Sequence, residues 1–210
     1  MKFLDLYLIL FFSLFVSCVT KPANKKRTDP IYNKSDFKIS DSTIDSSGKL
    51  NEGNTPLLSA SIFGNGPVVH SQIMARANVN ERSKDGTTPL IYASMYGHTA
   101  IVKMLLEAKA DINAKNEDHK TALIWSSFNG YTDIVQILIE QKANVNFQDK
   151  LGATALMYAS SNGYLDIVKI LIQAKANLNS VDHFGGTALT EATSEGHFEI
   201  ANLLQAAGAK

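Results

Sequence analysis

The chain has 210 residues, and its 20 Lys and Arg balance its 20 Asp and Glu. That balance argues against a strongly basic nucleic-acid binder, and a single cysteine excludes a disulfide framework. The interest therefore lies in how the residues are ordered along the chain.

Residues 1–17 read as an export signal. Lys2 supplies the charge and Leu6 to Val16 an apolar run broken only by Ser13. The run is too short to span a bilayer, which takes about 20 residues. Asp5 is unusual at this end. Leu14-Phe15-Val16-Ser17-Cys18 resembles the lipobox of bacterial lipoproteins, with Phe15 departing from the usual Leu or Val three residues before the cysteine. The resemblance implies cleavage before Cys18, diacylation of its thiol and attachment to a membrane leaflet; a plain secretory signal is the alternative. A buried core thiol is implausible at the end of an apolar signal run.

Residues 18–50 then read as the lipidated cysteine and a disordered polar tether. Pro22, Pro30 and many Lys, Ser, Asp and Asn leave no sustained apolar period, so too little surface is buried to offset the entropy of ordering. The cluster Lys25-Lys26-Arg27 either leans on anionic headgroups or only keeps the tether soluble.

From residue 51 the chain repeats itself every 33 residues. Leu57, Leu90, Leu123, Leu156 and Leu189 follow this step, as do Thr55, Thr88, Thr121, Thr154 and Thr187, and Gly64, Gly97, Gly130, Gly163 and Gly196. The asparagines Asn80, Asn113, Asn146 and Asn179 share it. Each Thr is placed to cap a helix that a glycine ends. A second helix follows, with Ile101, Val102, Leu105 and Leu106 on one face. The third, fourth and fifth units put Asp133, Asp166 and Glu199 in its first turn, where a carboxylate complements the helix dipole. Two such helices cannot bury their faces alone, so the units must stack. Gln72 and Gln205 then supply polar outer faces at the ends.

This pattern resembles the ankyrin repeat. The T-P-L or T-A-L triplets carry the resemblance, with Gly97-His98, Gly196-His197, the I-V-x-x-L-L core from Ile101 to Leu106, and the A-D-x-N turn from Ala110 to Asn113. The resemblance implies an all-α solenoid of stacked helix-turn-helix units joined by loops or β-turns, with repeats at about 51–83, 84–116, 117–149, 150–182 and 183–210. Two departures stand out. The histidine that usually follows T-P-L is replaced by Leu58, Ile91, Ile124, Met157 and Thr190. Arg76, Lys109, Lys142 and Lys175 stand where the family has glycine. Either these cations take a left-handed backbone or the second helix ends differently, and the row they form is either a dipole-matching edge or a contact for an acidic partner.

No catalytic or metal constellation is legible. His70, His98, His119, His183 and His197 form no H-x-x-x-H pair, and no glycine-rich phosphate loop or activated nucleophile is recognisable. Neither cofactor nor small-molecule substrate is expected, nor nucleic acid. The resemblance instead implies a protein-binding surface on the turn tips and the adjoining first helices. The tips offer Arg82, Lys84, Asp85, Lys115, Glu117, Asp118, Lys120, Gln148, Lys150, Leu151, His183 and Phe184. The helices offer Met95, Tyr96, Phe128, Asn129, Asn162 and Glu195. Of these, Tyr96, Phe128 and Phe184 are the candidate aromatic anchors, whereas Tyr92, Trp125 and Tyr158 recur at one inward-leaning position and read as core. The reading is an exported, lipid-anchored module that binds another protein in the bacterial envelope, in the periplasm or at the cell surface, as an inhibitor or immunity protein. A self-assembling envelope spacer without a client is the alternative.

Overall fold

A computed structural model describes residues 54–210. The expected signal at 1–17, Cys18 and the tether to residue 50 lie outside the described residues. Within them, ten helices follow one another in pairs. The first pair is α1 (Pro56–Phe63) and α2 (Gly66–Met74), and the second is α3 (Pro89–Met95) and α4 (Thr99–Glu107). Next come α5 (Ala122–Asn129) with α6 (Thr132–Glu140), then α7 (Ala155–Ser161) with α8 (Leu165–Gln173). The last pair is α9 (Ala188–Ser194) and α10 (Phe198–Ala206). Each first helix packs on its own second helix and on the first helices of the neighbouring units. The all-α solenoid is as expected.

Local chemistry sets each boundary. The hydroxyls of Thr55, Thr88, Thr121, Thr154 and Thr187 each accept a hydrogen bond from the backbone N–H three residues on, at 3.2–3.3 Å. Each satisfies one orphan donor of a helix start. The position of the missing histidine is partly compensated: Thr190 Oγ1 accepts from Thr187 N at 2.7 Å, and Met157 Sδ makes a weaker contact with Thr154 N at 3.4 Å. Gly97 and Gly130 follow α3 and α5 with φ of 79° and 81°. A Cβ on Gly97 would lie 2.7 Å from the Tyr131 ring, so both backbone angle and close approach require glycine there.

The first four second helices end on the cations, and the fifth on Gly208. Arg76, Lys109, Lys142 and Lys175 have φ of 60°, 66°, 67° and 61°, so the left-handed alternative is the one adopted. The strain is roughly 1–2 kcal/mol per residue. It is tolerated because the turn closes the helix: Lys109 N donates to Leu106 O at 3.0 Å and Ala110 N to Leu105 O at 2.9 Å, satisfying late carbonyls.

Packing follows the period. Ile101, Val102 and Leu105, with their counterparts Ile134, Val135 and Leu138 and Ile167, Val168 and Leu171, are buried in one continuous core that runs from Leu57 to Leu204. Tyr92, Trp125 and Tyr158 are buried as read from the sequence. At the ends Gln72 is half-buried and Gln205 exposed.

Two sets of polar contacts tie unit to unit. His98 Nε2 lies 2.9 Å from Ile62 O and His197 Nε2 3.0 Å from Ser161 O, which gives both G-H histidines a structural role. The periodic asparagines do the rest. The side-chain oxygens of Asn80, Asn113, Asn146 and Asn179 accept from the backbone N–H of Asp111, Asn144, Asn177 and Lys210, each 31 residues later, at 2.7–2.9 Å. Every unit thus fixes the closing turn of the next.

Candidate protein-binding surface

The tips that join consecutive units are built by short-range polar chemistry. Asp149 Oδ1 accepts from Leu151 N and Ala153 N, both at 2.9 Å, and Asp182 Oδ1 accepts from Phe184 N at 2.9 Å and Gly186 N at 2.6 Å. Asn116 and Ser83 do the same for Lys120 N and Thr87 N. A short polar side chain at the start of the turn thus replaces a backbone partner. Gly86, Gly152 and Gly185 take the left-handed position of three tips, and His119 takes it in the third unit with φ of 60°.

Consecutive tips are also bonded to each other. Glu117 N donates to Asp85 O, Lys150 N to Asp118 O and His183 N to Leu151 O, all at 2.9 Å. Two expected binding residues are occupied in the same way. Arg82 donates to Gly86 O at 2.9 Å and Lys115 O at 2.7 Å, and Gln148 to Gly152 O at 2.7 Å and Val181 O at 3.2 Å. Each braces its own tip and the next, although both residues keep exposed surface. Lys115 is half-buried, with its ammonium 3.8 Å from the centre of the Phe147 ring. That contact is a cation–π pair.

The exposed part of the tip edge includes Lys84, Glu117, Asp118, Lys150, His183 and Phe184, with Leu151 half-buried. Phe184 is 51% exposed, which keeps it a candidate anchor. Asp85 is exposed as a residue, while its carboxylate accepts hydrogen bonds from Ser83 and Thr87. Burial pushes that carboxyl up, but the bonds from Ser83 and Thr87 outweigh it and hold its pKa below the ordinary value.

The helical candidates divide. Phe128 is a correction: it is 1% exposed, edge-on to Trp125 and Tyr158 at ring distances of 6.0 and 5.3 Å. The sequence reading placed it at the surface because it falls on the first-helix face that the ankyrin resemblance leaves free for a partner. Its ring instead fills the space between two large aromatics of adjacent units, a geometry aromatic pairs favour. Lys120 is a second correction, at 8% exposed. Its ammonium is 3.6 Å from Asp149 Oδ2 and lies over the Trp125 and Tyr158 rings, while Tyr158 donates to the same Asp149 oxygen at 2.6 Å. A buried lysine is stable only with such partners.

Met95, Tyr96, Asn129 and Asn162 are half-buried and Glu195 is exposed. Tyr96 stacks on Tyr92 with ring centres 6.4 Å apart. Burial, reinforced by Tyr92 and Asp85, pushes its hydroxyl up to about 12. The Asn129 amide donates to Met95 O at 3.0 Å and that of Asn162 to Tyr158 O at 2.9 Å, so both are partly engaged within the array.

Sequence reasoning missed three features of this edge. Phe147 was passed over, though a ring one unit beyond Lys115 is a stacking partner the period could have shown. Val181, 53% exposed beside Phe184, extends the apolar character of the last tip. The third is the bridging role of Arg82 and Gln148, for which residue type alone carries no signal.

The comparison with known families bears on this geometry. The family model for ankyrin repeats in three copies matches residues 31–116, 57–149 and 123–210. The chain belongs to the ankyrin repeat family. No curated protein gives a significant match. Ankyrin repeats mark a protein–protein interaction module, typically without catalysis. Among the described residues no group of three or more His, Cys, Asp and Glu is placed to hold a metal ion, and no helix is long and apolar enough to cross a membrane.

Proposed function

We propose that this ankyrin array grips another protein along its tip edge, held at a bacterial membrane by an acyl group on Cys18 with residues 19–50 between them. The observation that carries the binding part is the run of exposed Lys84, Glu117, Asp118, Lys150, His183 and Phe184 on tips bonded one to the next. A surface drawn from several units and held rigid beforehand loses little freedom when a partner docks. Charges of both signs along the edge, with an exposed phenyl ring on its last tip, suit a protein face of mixed charge that carries an apolar patch. The lipobox-like run before Cys18 supports the anchor, and confinement to a leaflet would raise the effective concentration of the module near an envelope partner. Blocking an exported enzyme or toxin is the use that suits an anchored binder with no catalytic constellation in its sequence.

The test is affinity capture from detergent-solubilised envelopes with mass spectrometry of the bait and its companions. Full-length protein is compared with Cys18→Ser and with the tip variant Glu117→Lys, Asp118→Lys. A diacylated Cys18 and one companion at fixed stoichiometry, lost in the tip variant, is the expected result. An unmodified cysteine would remove the anchor. A companion that survives the tip change would remove the tip edge.

A further inference from the structure

The tip edge makes no use of the row of cations that closes the first four second helices. Arg76, Lys109, Lys142 and Lys175 recur every 33 residues and all four are exposed, and among the described residues none of them makes an ion pair. Each holds a left-handed backbone, with φ between 60° and 67°, that a side chain makes strained. The fifth unit closes the same turn with Gly208, whose φ of 100° carries no such strain. The turn therefore needs no side chain. A cation at an exposed helix end gains less from the dipole than the left-handed backbone takes away. Strain that recurs at one position, always under a positive charge, points to a use outside the fold.

The surroundings of the row decide what it meets. The neighbouring turn residues Asn78, Asn144 and Asn177 are exposed and uncharged. Lys103 adds a cation on the second helices, against Glu107, Glu140 and Asp111, so the edge keeps a positive balance. The acids Asp133, Asp166 and Glu199 lie in the first turns, at the other end of these helices. Met74, 71% exposed, is the one large apolar side chain exposed beside the row among the described residues. A protein partner is gripped by aromatic and other large anchors, which the tip edge has in Phe184 and the row lacks beyond Met74. An anionic headgroup layer needs only charge, and each cation near it raises binding about fivefold.

We propose that Arg76, Lys109, Lys142 and Lys175 form a contact for an anionic lipid surface, made by residues that the tip edge does not use. The row would lay the closing turns of four successive units on the headgroups. Protein binding stays with the tips. This inference rests on the membrane placement proposed above and adds to it a face of the array.

The test is the rate at which a water-soluble acetylating reagent labels each lysine of the full chain, read by mass spectrometry. The chain is added to vesicles of phosphatidylcholine alone and to vesicles in which one lipid in three is phosphatidylglycerol. On the anionic vesicles Lys109, Lys142 and Lys175 should be labelled about fivefold more slowly than on the neutral ones. The tip residues Lys84 and Lys150 should be labelled equally on both. The difference should disappear in about 1 M salt, where charges are screened within about 3 Å. In Arg76→Gly, Lys109→Gly, which removes strain as well as charge, Lys142 and Lys175 should lose most of their protection while the melting temperature does not fall. Equal labelling of the row on the two vesicles would overturn the proposal. So would protection that extends to Lys84 and Lys150, or that survives the salt. A chain that fails to join the neutral vesicles counts against the acyl anchor alone, because the row is read on the anionic ones.

Discussion

The middle of the array and its tip edge use similar residues to opposite ends. Phe128 lies buried against Trp125 and Tyr158, and Lys120 is held beneath the surface by Asp149, whereas Phe184 and Lys150 stand exposed on the tips. Residue type does not separate a packing aromatic from a binding one. What separates them is burial: Phe128 meets Tyr158 across the interface at 5.3 Å and is 1% exposed, while Phe184, on the tip of the last unit, is 51% exposed.

The contrast can be broken most forcefully at its buried side. Phe128→Ala should cost about 3–5 kcal/mol in chemical denaturation, as expected for a buried phenyl ring. A loss below about 0.5 kcal/mol would return Phe128 to the surface. Leu123→Ala, which truncates a buried aliphatic side chain of the same helix, should cost roughly 2–5 kcal/mol. Removing one asparagine link by Asn146→Ala should cost about 1 kcal/mol, since the Asn177 N–H loses one hydrogen bond but keeps access to water. In the other direction, Lys142→Gly should raise stability by about 1 kcal/mol by relieving a left-handed residue. A fall instead would mean that the cation's interaction with the helix end outweighs the strain.

At the pH extremes the two sides differ in sign. The raised pKa of Tyr96, about 12, means that its proton is held more tightly in the fold than in the unfolded chain. Its contribution is complete below the ordinary tyrosine value of about 10 and is lost as pH rises towards the folded value. Tyr96→Phe should flatten the decline of stability measured from about pH 10 upward. Asp85, with a lowered pKa, contributes above the ordinary carboxylate value and loses that contribution as pH falls through its folded value. Asp85→Asn should flatten the acid side alone.

The period made most of the fold legible. Thr88, Gly97 and Ile101 state where one helix starts, where it stops and which face the next one buries, and each statement needs only residues close in sequence. Trp125 and Tyr158 were legible as core because they recur. Phe128 was not, because the same position holds residues as different as Ile62, Met95, Ser161 and Ser194, and its burial depends on rings brought in from another unit. The tip site was partly legible for the same reason. Exposure of Glu117 or Lys150 follows from a turn, but the engagement of Arg82 with Lys115 O depends on a spacing between units that only the folded chain has. The asparagine links were visible as a recurrence without a stated cause.

Those links also bear on how such an array can change its length. Each spans 31 residues from acceptor to donor, and the two ends meet only if the intervening unit has its full complement. Inserting or deleting one residue within a unit's helices would shift every later side chain on its face and pull a donor away from its asparagine. Duplicating or removing a complete 33-residue block leaves every bond with an equivalent partner. Whole units are therefore the natural currency of variation for this chain, while single-residue length changes are confined to the exposed tips.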